Sequence, residues 1–203
     1  MSERAQKPWS VKEFFAWQEG REERYELVNG FPARMMTGAR NVHDDIVVNI
    51  VVELGIQLRG SGCRPFTADG RVETRPGQIR RPDVGVDCGP RDPDDYKAAL
   101  PRLIVEVLSP STRDFDTFGK FDTFGKLDEY KGLPSLAYIL LIEPNAPMVA
   151  IWFRDADRSW QERRSEGLDA NVDLPELSLT LPLRAIYEGI NLAPPRTRSP
   201  DGA

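Results

Sequence analysis

Two carboxylates lie in short strand-like runs of the sequence, Asp83 within residues 80–86 and Glu106 within residues 103–108. Burying an ionised Glu106 among β-branched and aliphatic neighbours costs several kcal/mol unless a cation or hydrogen bonds compensate its charge. Asp83 follows Pro82, which cannot donate to a central ladder, so we expect Asp83 to open its strand at an edge. Two carboxylates on neighbouring strands could hold one hard divalent cation, so the pattern indicates a metal site.

A set of polar residues at helical spacing follows the second of these runs. The Ser-Pro-Ser-Thr segment at 109–112 breaks the strand, and Asp122, Lys126 and Tyr130 then recur every four residues. Residues four apart lie on one face of a helix, so a carboxylate, an ammonium and a phenol share that face.

Together these segments resemble the Uma-two group of restriction-endonuclease-like proteins, a branch of the PD-(D/E)xK nuclease superfamily. The matching string is Arg-Pro-Asp-Val, Ile-Val-Glu-Val-Leu-Ser-Pro-Ser-Thr and Asp-x3-Lys-x3-Tyr, with Tyr-Glu-Leu-Val-Asn-Gly at 25–30 further upstream. The resemblance implies an α/β (α+β) fold with a mixed central sheet flanked by helices. It also implies hydrolysis of phosphodiester bonds in DNA with Mg²⁺ or Mn²⁺.

The resemblance also assigns roles to individual residues. It implies that Asp83 and Glu106 bind the metal and that Glu26 is a supporting acid. We expect the backbone carbonyl of Val107 and waters to complete the coordination. His43 is the only histidine of the chain. It could carry a proton near the scissile phosphate, because imidazole changes charge near neutral pH, or it could cap the first long helix or pack in a polar niche.

The superfamily lysine is missing from its usual position. It lies two residues after the second carboxylate in the superfamily signature, where this chain has Leu108. The resemblance to members whose ammonium comes from the following helix points instead to Lys126 or Lys120.

A tandem duplication complicates that choice, since Asp-Thr-Phe-Gly-Lys stands at both 116–120 and 122–126. A shift of six residues turns a side chain by about 240° around a helix, so both lysines cannot face the same site. Counting forward from Glu106 favours Lys120, whereas counting back from Tyr130 favours Lys126. We predict Lys126, because Tyr130 and the next strand anchor the second copy.

The rest of the pattern predicts the elements that position these residues. Apolar periodicity and turn residues predict an opening helix within 8–20 capped by Ser10, a hairpin at 26–35 about Asn29-Gly30, a helix at 44–58, and further strands at 63–67, 71–74, 138–143, 149–153 and 160–163. We predict a single domain over residues 1–192 and a disordered tail at 193–203.

Composition narrows the function classes. The 203 residues are 40% hydrophobic, enough for a substantial core, and the net charge of −5 argues against binding nucleic acid by bulk electrostatics. No apolar run approaches the ~18 residues of a membrane span, so we expect a cytoplasmic protein without membrane contact. Cys63 and Cys88 are far apart in sequence and lack metal-ligand spacing, so we expect reduced thiols and no zinc site.

Local charge near Asp83 suggests a surface for DNA. Four arginines precede or adjoin the strand and could form a phosphate-contacting edge or simply a solvated hairpin: Arg71, Arg75, Arg80 and Arg81. Asp87 should face the same side as Asp83, at the solvated far end of the strand.

Other function classes stay open on the sequence alone. The missing lysine after Glu106 and the duplicated segment are consistent with a catalytically inactive DNA-binding or regulatory module. The apolar strands are consistent with a structural oligomer component. A glycosidase could also use two carboxylates, but the sugar-stacking aromatics expected near such a site are missing. We expect DNA as the partner, and the assembly could be a homodimer.

Overall fold

The structure is a computed structural model, and it describes residues 7–35, 40–108 and 125–192. The helices are α1 (Val11–Gln18), α2 (Asn41–Gln57), α3 (Lys126–Lys131) and α4 (Leu183–Ile186). The strands are β1 (Tyr25–Val28), β2 (Phe31–Arg34), β3 (Arg64–Thr67), β4 (Val72–Arg75), β5 (Gln78–Arg80), β6 (Val84–Asp87), β7 (Pro101–Val107), β8 (Tyr138–Glu143), β9 (Met148–Arg154), β10 (Trp160–Glu166), β11 (Asn171–Leu174) and β12 (Leu179–Pro182).

A six-stranded sheet in the order β10-β9-β8-β7-β6-β3 forms the centre of the fold. Strands β7 and β8 are parallel, and the other neighbouring pairs are antiparallel, so the sheet is mixed. On one face, α2 packs Ile46, Ile50 and Leu54 into the larger hydrophobic core. On the other face, Tyr130 of α3 belongs to a second buried cluster. Because both faces are covered, the central strands are apolar almost throughout.

A second sheet carries the amino-terminal hairpin. Its order is β2-β1-β5-β4, and the β1–β2 turn has positive φ at Asn29 (52°) and Gly30 (81°), as the Asn-Gly dipeptide predicts for a type I′ turn. Helix α1 begins after Ser10, which forms a capping box with Glu13. Pairing of β1 with β5 brings Glu26 close to Arg80.

The predicted fold class, a mixed sheet flanked by helices, is confirmed, as are the capped opening helix, the hairpin and the first long helix. Strand β5, the β11–β12 pair and α4 were not predicted. The tail predicted at 193–203 lies outside the described residues. No helix in the described ranges is long and apolar enough to cross a bilayer.

The prediction of reduced thiols is wrong, because Cys63 and Cys88 form a disulfide. Strands β3 and β6 are antiparallel, with Arg64 opposite Asp87. The residues one step beyond that pair therefore face each other across the end of the ladder. Strand register, which creates this proximity, cannot be seen from two thiols 25 residues apart.

The prediction of a solvated Asp87 is also wrong. Its carboxylate is buried, forms an ion pair with Arg64 at 2.8 Å, and accepts hydrogen bonds from the amides of Gly89 and Leu100 at 3.0 and 2.8 Å. Asp87 thus fixes the loop after β6 and takes no part in the candidate site.

Candidate active site

The structure places Asp83 and Glu106 side by side on neighbouring strands. Val84 opens β6 and pairs with Val105 of β7, so Asp83, one residue earlier, lies opposite Glu106. Directly opposite residues of an antiparallel pair project to the same face. Asp83 Oδ2 also accepts a hydrogen bond of 2.8 Å from the Val107 amide. Asp83 therefore lies just before its strand and not within it, and the expected edge position is wrong, because β6 lies between β7 and β3. Its carboxylate is fixed beside the end of β7.

His43 lies in the first turn of α2 and contacts Asp83. Its Nε2 is 3.3 Å from Asp83 Oδ2. The hydrogen bond to Asp83 raises the pKa of His43, although partial burial opposes this. The helix end itself has no side-chain cap, so His43 belongs to the site and does not cap α2.

The helix face predicted from four-residue spacing lies over Glu106. Lys126, the first residue of α3, places its Nζ 3.2 Å from Glu26 Oε1 and 3.6 Å from Glu106 Oε1. One turn later, the Tyr130 hydroxyl donates a hydrogen bond of 2.7 Å to Glu106 Oε1. Lys120 and Asp122 lie outside the described residues.

The surroundings of the Glu106 carboxylate shift its pKa. Its side chain is buried, and burial raises its pKa to about 7, opposed by the Lys126 ammonium and reinforced by the negative charge of Asp83. Burial would lower the pKa of Lys126, but Glu106 and Glu26 outweigh it and raise that pKa. Lys126 is therefore protonated at neutral pH. Its positive charge compensates the negative charge of Glu106 only in part.

A buried ion cluster that the sequence did not reveal adjoins these residues. Arg80 is 1% exposed and holds Glu129 in a two-point contact, Nε to Oε2 at 2.8 Å and Nη2 to Oε1 at 2.7 Å. Its Nη1 donates to Glu26 Oε2 at 2.9 Å, and Glu26 Oε1 accepts the Arg81 amide at 3.0 Å. Glu26 thus contacts both Arg80 and Lys126. This link holds the Lys126 ammonium in position.

Arg80 and Arg81 fit neither alternative considered for the arginines near Asp83, a phosphate-contacting edge or a solvated hairpin. Arg80 and Arg81 are only 1% and 3% exposed, and Arg81 donates to the carbonyls of Tyr25 and Ala68. Their guanidinium groups cannot reach a phosphate. Their donors are satisfied inside the protein, those of Arg80 by the carboxylates of Glu26 and Glu129, and those of Arg81 by the two carbonyls.

The donor set limits which metal the site could hold. In the described part of the chain, no group of three or more His, Cys, Asp and Glu side chains is arranged around a common metal position. The oxygen donors brought together are Asp83 and Glu106. Magnesium is commonly bound through one or two carboxylates and keeps several waters, so these donors suit it better than an ion that needs an all-protein cage. Val107 contacts Asp83 through its amide, and coordination by its carbonyl stays a prediction.

Comparisons with known proteins agree with this architecture. The sequence model of the Uma2 family, described as "Putative restriction endonuclease", matches residues 11–184. An uncharacterized protein of Synechocystis sp. is 29% identical over 183 residues, which cover 89% of this chain and 92% of that protein. The crystal structure of a "putative nuclease belonging to DUF820" from Anabaena variabilis matches with a TM-score of 0.65 at 19% identity, over 89% of this chain and 98% of that one. At this identity the likeness shows the fold.

Proposed function

Since the chain belongs to the Uma2 family, we propose that it is a metal-dependent endonuclease that hydrolyses phosphodiester bonds in DNA. One observation carries the proposal. The Lys126 ammonium lies between Glu26 and Glu106, at 3.2 and 3.6 Å, where Glu106 faces Asp83 across two strands. Two adjacent carboxylates can hold a metal ion and a nearby lysine can stabilise charge on a phosphate, a combination that suits metal-assisted phosphodiester hydrolysis.

Each side chain has a distinct role in this proposal. Asp83 and Glu106 would hold Mg²⁺ or Mn²⁺, which when bound polarises the phosphate and lowers the pKa of a coordinated water. The Lys126 ammonium orients the attacking water or stabilises negative charge on the phosphate in the transition state. Glu26 positions Lys126. His43, held by Asp83, can accept or donate a proton at Nε2.

Metal binding is tested first, by isothermal titration calorimetry with Mn²⁺. The wild-type protein should bind the ion, and the Asp83→Ala/Glu106→Ala double variant should not, because both anionic oxygen donors are gone. An unchanged affinity in the double variant would place the metal elsewhere and remove the basis of the proposed chemistry.

Cleavage is tested with supercoiled plasmid in Mg²⁺ or Mn²⁺, with a chelator control. Lys126→Met should abolish nicking while Mn²⁺ binding persists, because an ammonium has donors but no lone pair for a cation. Lys131→Met, on the same helix but above the Trp152 ring, should retain nicking. Lys120→Ala should be nearly silent, and the reverse ranking would move the assignment to Lys120. Nicking that persists in chelator would refute the metal-dependent mechanism.

A second candidate is a catalytically inactive DNA-binding or regulatory module on the same fold. It is favoured by Leu108, which occupies the position of the signature lysine and packs, 7% exposed, in an apolar cluster. This candidate predicts a mobility shift of duplex DNA without nicking in either metal. Nicking that is lost in Lys126→Met would exclude it.

A further inference from the structure

Helix α2 exposes a continuous apolar stripe. Val48, Val52 and Ile56 are 52%, 52% and 56% exposed, although the same helix buries three residues in the core. At 100° per residue, Val48 and Ile56 lie about 40° on either side of Val52. Single exposed apolar residues are ordinary on a protein surface, but three at successive turns form a patch that water solvates poorly.

The stripe points away from the candidate active site. His43 is nine residues before Val52, which places it about 180° around the helix, where it meets Asp83. One flank of α2 is tied to the fold, because Asn49 donates to the carbonyls of Ile186 and Glu188. None of the residues that the structure describes covers the stripe.

Opposite charges stand at the two ends of the stripe. Asp45 and Arg59 are both exposed and lie seven residues before and after Val52. Asp45 is about 20° from Val52 around the helix axis, and Arg59 lies in the turn that follows Gln57, the last residue of α2. Neither side chain forms an ion pair with another described residue. Along the helix the exposed residues are therefore an acid, three aliphatic residues and a base. Two such helices packed antiparallel would place the acid of each one opposite the base of the other.

We propose that this stripe is a homodimer surface on which α2 packs antiparallel against α2 of a second copy. A two-fold axis at Val52 sets Val48 against the partner's Ile56 and Asp45 against the partner's Arg59. This arrangement is isologous, as the commonest homodimers are. It is independent of the proposed nuclease activity. A single-helix contact lies below the roughly 1,200 Å² of a standard interface, so the dimer is weak and depends on concentration.

Sedimentation velocity over a roughly hundredfold concentration range tests the surface, because the dimer fraction rises by mass action. The wild-type protein should pass from monomer to dimer. Val52→Asp sets two carboxylates against each other at the axis, so the dissociation constant should rise at least about tenfold. Leu168→Asp is the matched control, because Leu168 is also exposed, at 37%, but is not on α2. It should dimerise like the wild type.

Charge reversal tests the antiparallel register. Asp45→Lys and Arg59→Glu should each weaken the dimer several-fold, since each creates two like-charge contacts. The double variant should recover wild-type association, because the opposite charges then face each other again. Far-UV circular dichroism and thermal melts establish that each variant is folded. A wild type that stays monomeric throughout, an effect of Val52→Asp no larger than that of Leu168→Asp, or a double variant without recovery would each overturn the proposal.

Discussion

Two groups of buried carboxylates adjoin in this fold and differ in how well their charge is compensated. Around Arg80, burial opposes ionisation of Glu129, but the guanidinium hydrogen bonds outweigh it and lower the pKa of Glu129. At Glu106, burial prevails over Lys126 and the pKa rises to about 7. The first group is a compensated ion cluster that ties α3 to the second sheet. The second group has excess negative charge. A bound cation or an added proton therefore stabilises it more than it would stabilise the first group.

The largest expected effect is on plasmid nicking, which should depend on the group around Glu106 and not on the group around Arg80. Glu106→Gln keeps the size of the side chain but removes an anionic oxygen, so plasmid nicking in Mg²⁺ should fall at least about a thousandfold. The matched change Glu129→Gln lies in the compensated ion cluster and should leave nicking within about tenfold. Equal losses in the two variants would contradict the division of roles.

Removing the guanidinium should give the largest loss of stability. Arg80→Met leaves Glu26 and Glu129 buried without their cation, which should lower the free energy of unfolding by about 3–5 kcal/mol. Arg75→Met is the control, because Arg75 lies 4.0 Å from Glu129 but is 56% exposed, and should cost less than about 1 kcal/mol. Urea unfolding measures both. Similar urea midpoints for the two variants would show that the buried Arg80 contributes no more to stability than the exposed Arg75.

The pH dependence of stability should identify the under-compensated group. The folded pKa of Glu106 is about 7 against an ordinary 4.5, so the native state retains a proton that the unfolded chain has released. Stability in chelator should therefore fall as pH rises from 4.5 to 7 and level off above, by up to about 3 kcal/mol. Glu106→Gln should lack this component. If the unfolding free energies of the wild type and Glu106→Gln change in parallel between pH 4.5 and 7, the pH dependence does not come from Glu106.

The smallest expected effect concerns one hydroxyl. Tyr130→Phe removes the hydrogen bond to Glu106 Oε1, which favours the ionised carboxylate, and should cost about 1–2 kcal/mol. It should also move the Glu106 titration to higher pH. Tyr187→Phe removes another buried hydroxyl, bonded to the Glu143 carbonyl, and should lower stability without moving that titration. Chemical denaturation at a series of pH values distinguishes the two.

Sequence patterns predicted those parts of the molecule whose geometry is local. Asn29-Gly30 marked the hairpin, Ser10 marked the start of α1, and the four-residue spacing of Lys126 and Tyr130 marked the face that meets Glu106. The resemblance directed attention to both site carboxylates. In the hairpin, at the start of α1 and on the Lys126–Tyr130 face, the residues that define the geometry are neighbours in the chain or lie on one helix face.

Long-range partners escaped prediction for a physical reason. Arg80 and Glu129 are 49 residues apart, and Cys63 and Cys88 are 25 apart. Their contacts arise from strand register and helix docking, which leave no period in the sequence. Helix α4 is a four-residue turn stabilised by its buried residues, too short for a periodic signal.

The entry to α3 has a consequence for how this chain tolerates changes in length. Gly125 has a φ of 70°, and the helix after it is fixed from its far side by Tyr130 and Glu129. Both copies of the tandem repeat end in Gly-Lys, so loss of residues 116–121 regenerates the same Gly-Lys-Leu junction in front of the helix. A change in copy number upstream therefore leaves the sequence at the entry to α3 unchanged. Lys126, which lies at Glu106, is the lysine of the last copy.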